Sequence, residues 1–132
     1  MYIKTTGMIL KIEPDKTIAL IQQEFNTAFP FLKIEFLKNG KTLQRMYPTQ
    51  QLVNKEATLA AARLNSVQGE ILVADTMTVK ELEQDFFDSF GLTVQVFRKS
   101  GRLWLETTMT DNWTLKQQNQ HGKEISAPPP ID

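Results

Sequence analysis

The sequence predicts an α+β fold of two tandem β-α-β-β-α units, with antiparallel sheet and helices on one face. Two observations carry this. Residues 17–29, TIALIQQEFNTAF, and residues 78–90, TVKELEQDFFDSF, repeat one pattern at a spacing of 61. Each copy is followed by a run in which apolar and polar side chains alternate. A helical stripe followed by period-two alternation reads as helix, then half-buried strand.

The elements follow in order. A first strand is expected at Gly7–Ile12. In the first long helix, Ile18, Ile21, Phe25 and Phe29 form the buried stripe. Thr17 or Asp15 supplies the N-cap oxygen, and Pro30 ends the helix. Leu32, Ile34 and Phe36 then alternate with Lys33 and Glu35 as a strand. Lys38-Asn39-Gly40-Lys41 is a hairpin turn, and a third strand is expected near 42–47. Residues 47–56 read as a loop. A short helix opens at Thr58-Leu59, with Asn54 as its cap.

The second copy repeats this order. A strand is expected at 70–74 and a helix with the stripe Val79, Leu82, Phe86 and Phe90. Thr78 or Asp75 caps it and Gly91 ends it. Leu92, Val94 and Val96 alternate with Thr93 and Gln95, one position out of step with the first copy. Lys99-Ser100-Gly101-Arg102 is the turn, and Leu103 to Thr107 the returning strand. Thr114-Leu115 opens a second short helix, with Asp111 as its cap. The domain reading is a first repeat over 1–66, a second over 67–121 sharing its core, and a flexible, Pro-rich tail over 122–132. The element order of the first copy plus the next strand is ferredoxin-like. Leu103 and Leu105 join the two helical stripes and Ile34, Phe36, Val94 and Val96 in the expected core.

Composition bounds the function. The 132 residues are 41% hydrophobic and 23% charged, as in ordinary globular chains. Fifteen basic and fifteen acidic residues give zero net charge, against wholesale phosphate neutralisation. There is no cysteine and one histidine, which removes disulfides, thiol chemistry and histidine-rich metal sites within one chain. No apolar run approaches the roughly 20 residues of a membrane span, and no signal-peptide core opens the chain. The expectation is a cytoplasmic protein without membrane attachment or cofactor. Charge is unevenly shared. Residues 1–66 carry nine basic and five acidic residues, and 67–132 carry six and ten. Glu81, Glu83, Asp85 and Asp88 lie on the second long helix as a solvated face, or as a surface for complementary contact.

The hairpin VQVFRKSGRLWLETT, residues 94–108, is the candidate site. If Val94 and Val96 face the helices, Phe97 points outward; Trp104 then faces out with Arg102 and Glu106. Ile9 and Leu72 are expected to add apolar surface to that outer face. The candidate binding residues are Phe97, Arg102, Trp104, Arg98 and Lys99. An outer sheet face of this kind serves self-association or another protein. Aromatic and basic residues on a sheet also fit single-stranded nucleic acid, although the full RNA-recognition signature is missing. An enzyme using carboxylates or a metal is a further alternative. Glu81 and Asp85 have helical i,i+4 spacing for a divalent cation, and they equally describe a wet face. No phosphate-loop, dinucleotide, zincin or nucleophile-elbow string occurs. His121, beside Gly122 at the start of the tail, is expected to have nothing to orient it.

The segments FRKSG (97–101), LWLETT (103–108) and WTL (113–115) resemble a family of small bacterial proteins of unknown function. The resemblance extends to the helix IQQEFNTAFPFLKIEF and its following TL pair, and so to nearly all the chain except the tail. It implies a bacterial, cytoplasmic origin and no catalytic or binding residue.

Overall fold

The computed structural model describes residues 7–37, 53–61 and 68–127. The expected turn at 38–41, the strand near 42–47, most of the 47–56 loop and the last five residues lie outside them. The described chain runs β1 (Gly7–Ile12), α1 (Ile18–Ala28), β2 (Leu32–Leu37), β3 (Gly69–Ala74), α2 (Val79–Phe90), β4 (Thr93–Ser100), β5 (Leu103–Glu106), a 3-10 turn (Thr108–Thr110) and α3 (Leu115–Ser126). The fold is α+β. Its described strands form two antiparallel sheets, β1-β3 and β2-β4-β5. No helix among the described residues is long and apolar enough to cross a membrane.

Thr17, Thr78 and Thr114 cap the three described helices, and Thr58 stands in the same way before a turn; the short helix expected to open at Thr58 lies mostly outside the described residues. Thr17, Thr58, Thr78 and Thr114 each accept a hydrogen bond at 3.0–3.1 Å from the N–H three residues on. That satisfies one orphan donor at each start. Thr78 with Glu81, and Thr114 with Gln117, complete capping boxes. Asn54 and Asp111, expected as caps, do other work. The Asn54 side chain accepts from Glu56 N–H, and the Asp111 carbonyl accepts from Lys80 N–H at 2.8 Å. The threonine is the better cap because its short hydroxyl stands at the N-cap itself. Each of the four is followed by a fully buried aliphatic residue: Ile18, Leu59, Val79 and Leu115.

The starts are joined in pairs. Thr17 bridges Thr58, and Thr78 bridges Thr114, both antiparallel. Around the first bridge, Ile18 and Ala19 donate to Ala57 and Lys55 carbonyls, and Leu59 and Ala60 donate to Lys16 and Pro14. Around the second, Val79 and Lys80 donate to Trp113 and Asp111, and Leu115 and Lys116 donate to Met77 and Asp75. The same four bonds are made twice, at positions 61 apart on one side and 56 on the other.

Strands from the two halves of the chain pair with each other. β1 meets β3 with Leu10 opposite Ile71, and β2 meets β4 with Glu35 opposite Gln95. One continuous core results. It holds Leu10, Ile12, Ile71 and Val73, the stripes of α1 and α2, and Leu32, Ile34, Phe36, Val94 and Val96. Phe36 and Phe86 meet edge to face at 5.9 Å. Gly91 adopts φ 66° and closes α2, with Gly91 N–H donating to Phe87 O and Leu92 N–H to Phe86 O.

Three expectations are corrected. Leu103 and Leu105 are not core: they are 66% and 42% exposed. They share the face of Arg98, not a covered stretch, because among the described residues β5 is the edge strand and α3 packs on β4. The chain does not become a tail at Gly122, since α3 continues to Ser126. A Cβ on Gly122 would stand 2.9 Å from Phe31 Cβ and 3.2 Å from Lys99 O, so this glycine permits close packing of helix on strand. Finally, α2 is not a uniformly wet acidic face. Glu83 is 4% exposed and accepts the Val96 N–H at 3.0 Å.

Candidate functional site

Alternation across the β2-β4-β5 sheet assembles the site. Lys33 stands opposite Phe97, Phe97 opposite Glu106, and Lys99 opposite Trp104. These side chains share the outer face. Lys33 Nζ lies 5.5 Å from the Phe97 ring centre and 5.2 Å from that of Trp104. One ammonium thus serves two aromatic faces, a contact worth about 0.5–2 kcal/mol according to its solvation. Lys33 also reaches Glu35 at 3.2 Å, and Gln22 from α1 donates to Glu35 at 2.8 Å. Both rings are half-buried.

The predicted residues divide. Phe97, Trp104 and Lys99 lie on the common outer face, and Arg102 is exposed at the hairpin turn. Arg98 does not belong with them. Strand alternation turns it to the opposite face, where its Nη1 donates to Gln118 Oε1 at 2.8 Å. Its guanidinium lies 5.9 Å from the centre of the Trp113 ring. Lys33 is the member that sequence reasoning missed. It is 64 positions from Phe97, and only the β2-β4 register brings the two together. Ile9 and Leu72 face each other across β1-β3, in the other sheet, and are exposed.

A second feature is a shallow open groove of about 380 Å³ along α3. Trp113, Lys116, Gln117, Gln120, His121 and Glu124 line it. His121 is oriented after all: its ring meets Trp113 edge to face at 5.5 Å. Trp113, Gln117, His121 and Glu124 recur at helical spacing, and that periodicity was the available signal.

The acidic residues of α2 do not converge. Glu81 accepts from Thr78 N–H at 2.8 Å, which holds its carboxyl below the ordinary range together with the Thr78 hydroxyl contact. Asp88 accepts from Gln84 at 2.8 Å. Among the described residues no group of three or more His, Asp or Glu side chains is placed to hold a metal ion.

Comparison with known proteins found no matching family model, no similar curated protein and no similar solved structure.

Proposed function

We propose that the protein is a non-catalytic binding or assembly module that works through the outer sheet face around Phe97 and Trp104. The carrying observation is Lys33 poised over both rings, in a cluster that spans the three described strands β2, β4 and β5. The face offers apolar ring surface, one cation between the rings and exposed Arg102 and Glu106 beside them. Such a mixture suits a macromolecular partner, itself or another protein, more than a small enclosed ligand. The second reading, single-stranded nucleic acid on the same hairpin, draws on the lysine beside two stacking surfaces.

The wider reading is of a duplicated, ferredoxin-like order in a bacterial cytoplasmic protein. Support for the duplication lies in the twice-made set of bonds around Thr17–Thr58 and Thr78–Thr114.

The test is Trp104→Ala beside the wild type. A half-buried ring predicts a loss of about 1–2 kcal/mol, below the roughly 3–5 kcal/mol of a core Trp truncation. The variant should stay folded and lose association, either with itself by light scattering or with oligonucleotides by fluorescence titration. A core-sized stability loss, or binding that survives in the folded variant, overturns the proposal.

A further inference from the structure

Among the described residues β5 is the edge strand of its sheet, and that edge is complementary to itself. Thr107 N–H donates to Val96 O at 3.3 Å, so odd-numbered positions of this strand bond toward β4. By the alternation of an antiparallel ladder, Trp104 and Glu106 turn their N–H and C=O groups to the unpaired side. Natural edges usually block self-pairing with repeated like charge, proline or a bulge. Here the sequence Arg102-Leu103-Trp104-Leu105-Glu106 carries opposite charges at its two ends and apolar residues between them. Arg102, Leu103, Leu105 and Glu106 are all exposed.

We infer that the partner of this face is a second copy of the chain, added antiparallel along β5 about a two-fold axis through Trp104. This rests on the binding-module reading and names its partner. In that register Trp104 stands opposite the partner's Trp104, and Leu103 opposite the partner's Leu105. Arg102 then stands opposite the partner's Glu106, and symmetry makes this ion pair twice. Shifting the axis to Leu105 keeps the backbone bonds but places Arg102 opposite the partner's Thr108, losing both pairs. Charge therefore selects the register. The three-stranded sheet becomes a continuous sheet of six, with the Lys33–Phe97–Trp104 clusters adjoining across the axis.

The experiment is sedimentation of the full chain over a concentration series, as wild type, Arg102→Glu, Glu106→Arg, the double reversal and Trp104→Glu. The wild type should dimerise, more weakly as salt rises. Each single reversal sets like charges opposite each other twice and should raise Kd by about tenfold or more. The double reversal should return Kd to within a few-fold of wild type. All three positions, Arg102, Trp104 and Glu106, are exposed or half-exposed, and matching thermal melts will show that folding is intact. A wild type that stays monomeric overturns the inference, as do single reversals without effect or a double reversal that fails to restore pairing. If Trp104→Glu abolishes association while the charge variants leave it unchanged, the register fails and the binding-face reading stands. If Trp104→Glu is also without effect on any association, that reading fails too.

Discussion

Glu35 stands directly across the β2-β4 ladder from Gln95, and the two occupy equivalent places in the repeat, 60 positions apart. Leu10 and Ile71 hold the same relation across β1-β3, at a spacing of 61. Each ladder is thus centred on a pair of equivalent residues, as a two-fold axis through both sheets would require. The difference of one matches the one-residue slip where Pro30-Phe31 is replaced by Gly91. Both sheets are built jointly, so neither half owns a sheet.

Unfolding should therefore be a single cooperative transition. Separation of the halves would break both ladders and divide the core. Far-ultraviolet dichroism should coincide with tryptophan fluorescence, whose two reporters, Trp104 and Trp113, both lie in the second half. Two resolved transitions would contradict the shared core.

Glu83 is expected to be structural. Replacing it with Leu leaves the buried Val96 N–H without its acceptor, at a cost of about 1–3 kcal/mol. Glu83→Gln keeps an acceptor oxygen and should lose less. Urea unfolding of the two variants gives the comparison, and equal losses would show that the bond contributes little.

Gly122→Ala should destabilise the protein although alanine favours helix by about 1 kcal/mol. The added methyl would stand 2.9 Å from Phe31 Cβ and 3.1 Å from Arg98 Cγ. Overpacking of this kind costs about 1–3 kcal/mol. A lower melting temperature is expected, and a further drop with Gly122→Val. A raised melting temperature for the alanine variant would mean that α3 moves away from β4 at little cost.

Stability should fall in acid partly through Glu81. Its carboxyl is held below the ordinary value of 4.5, first by the backbone N–H of Thr78 and then by the Thr78 side chain. A depressed folded-state pKa means the contribution is full above 4.5 and is lost as pH drops through the lower folded value. Glu81→Gln can still accept the Thr78 N–H bond at any pH. Its stability should decline less steeply than wild type below pH 4.5 in denaturant titrations. Parallel declines would place the acid sensitivity elsewhere.

Much of the local architecture was legible in the chain. The stripes Ile18-Ile21-Phe25 and Val79-Leu82-Phe86 declare their helices because burial demands one apolar face at 3.6-residue spacing. The caps Thr17 and Thr78 and the stop at Gly91 follow from local geometry. Alternation also set which β4 and β5 residues share a face. It could not say whether anything covers that face, and so Leu103 and Leu105 were misassigned. Gly122, expected to open the flexible tail, lies within α3: a glycine in a loose segment and one that lets a helix approach a strand look alike until the neighbour is known.

The sequence by itself determined the two long helices with their threonine caps and the alternation of the strands that follow them, since these depend on contacts within a few residues. Only the tertiary structure decided that β1 pairs with β3 and β2 with β4, that Lys33 joins Phe97 and Trp104, and that Arg98 leaves them for α3. Those outcomes depend on long-range register. Moving a strand by one residue turns every side chain to the other face, so partners 64 residues apart are chosen by the packing of the whole core.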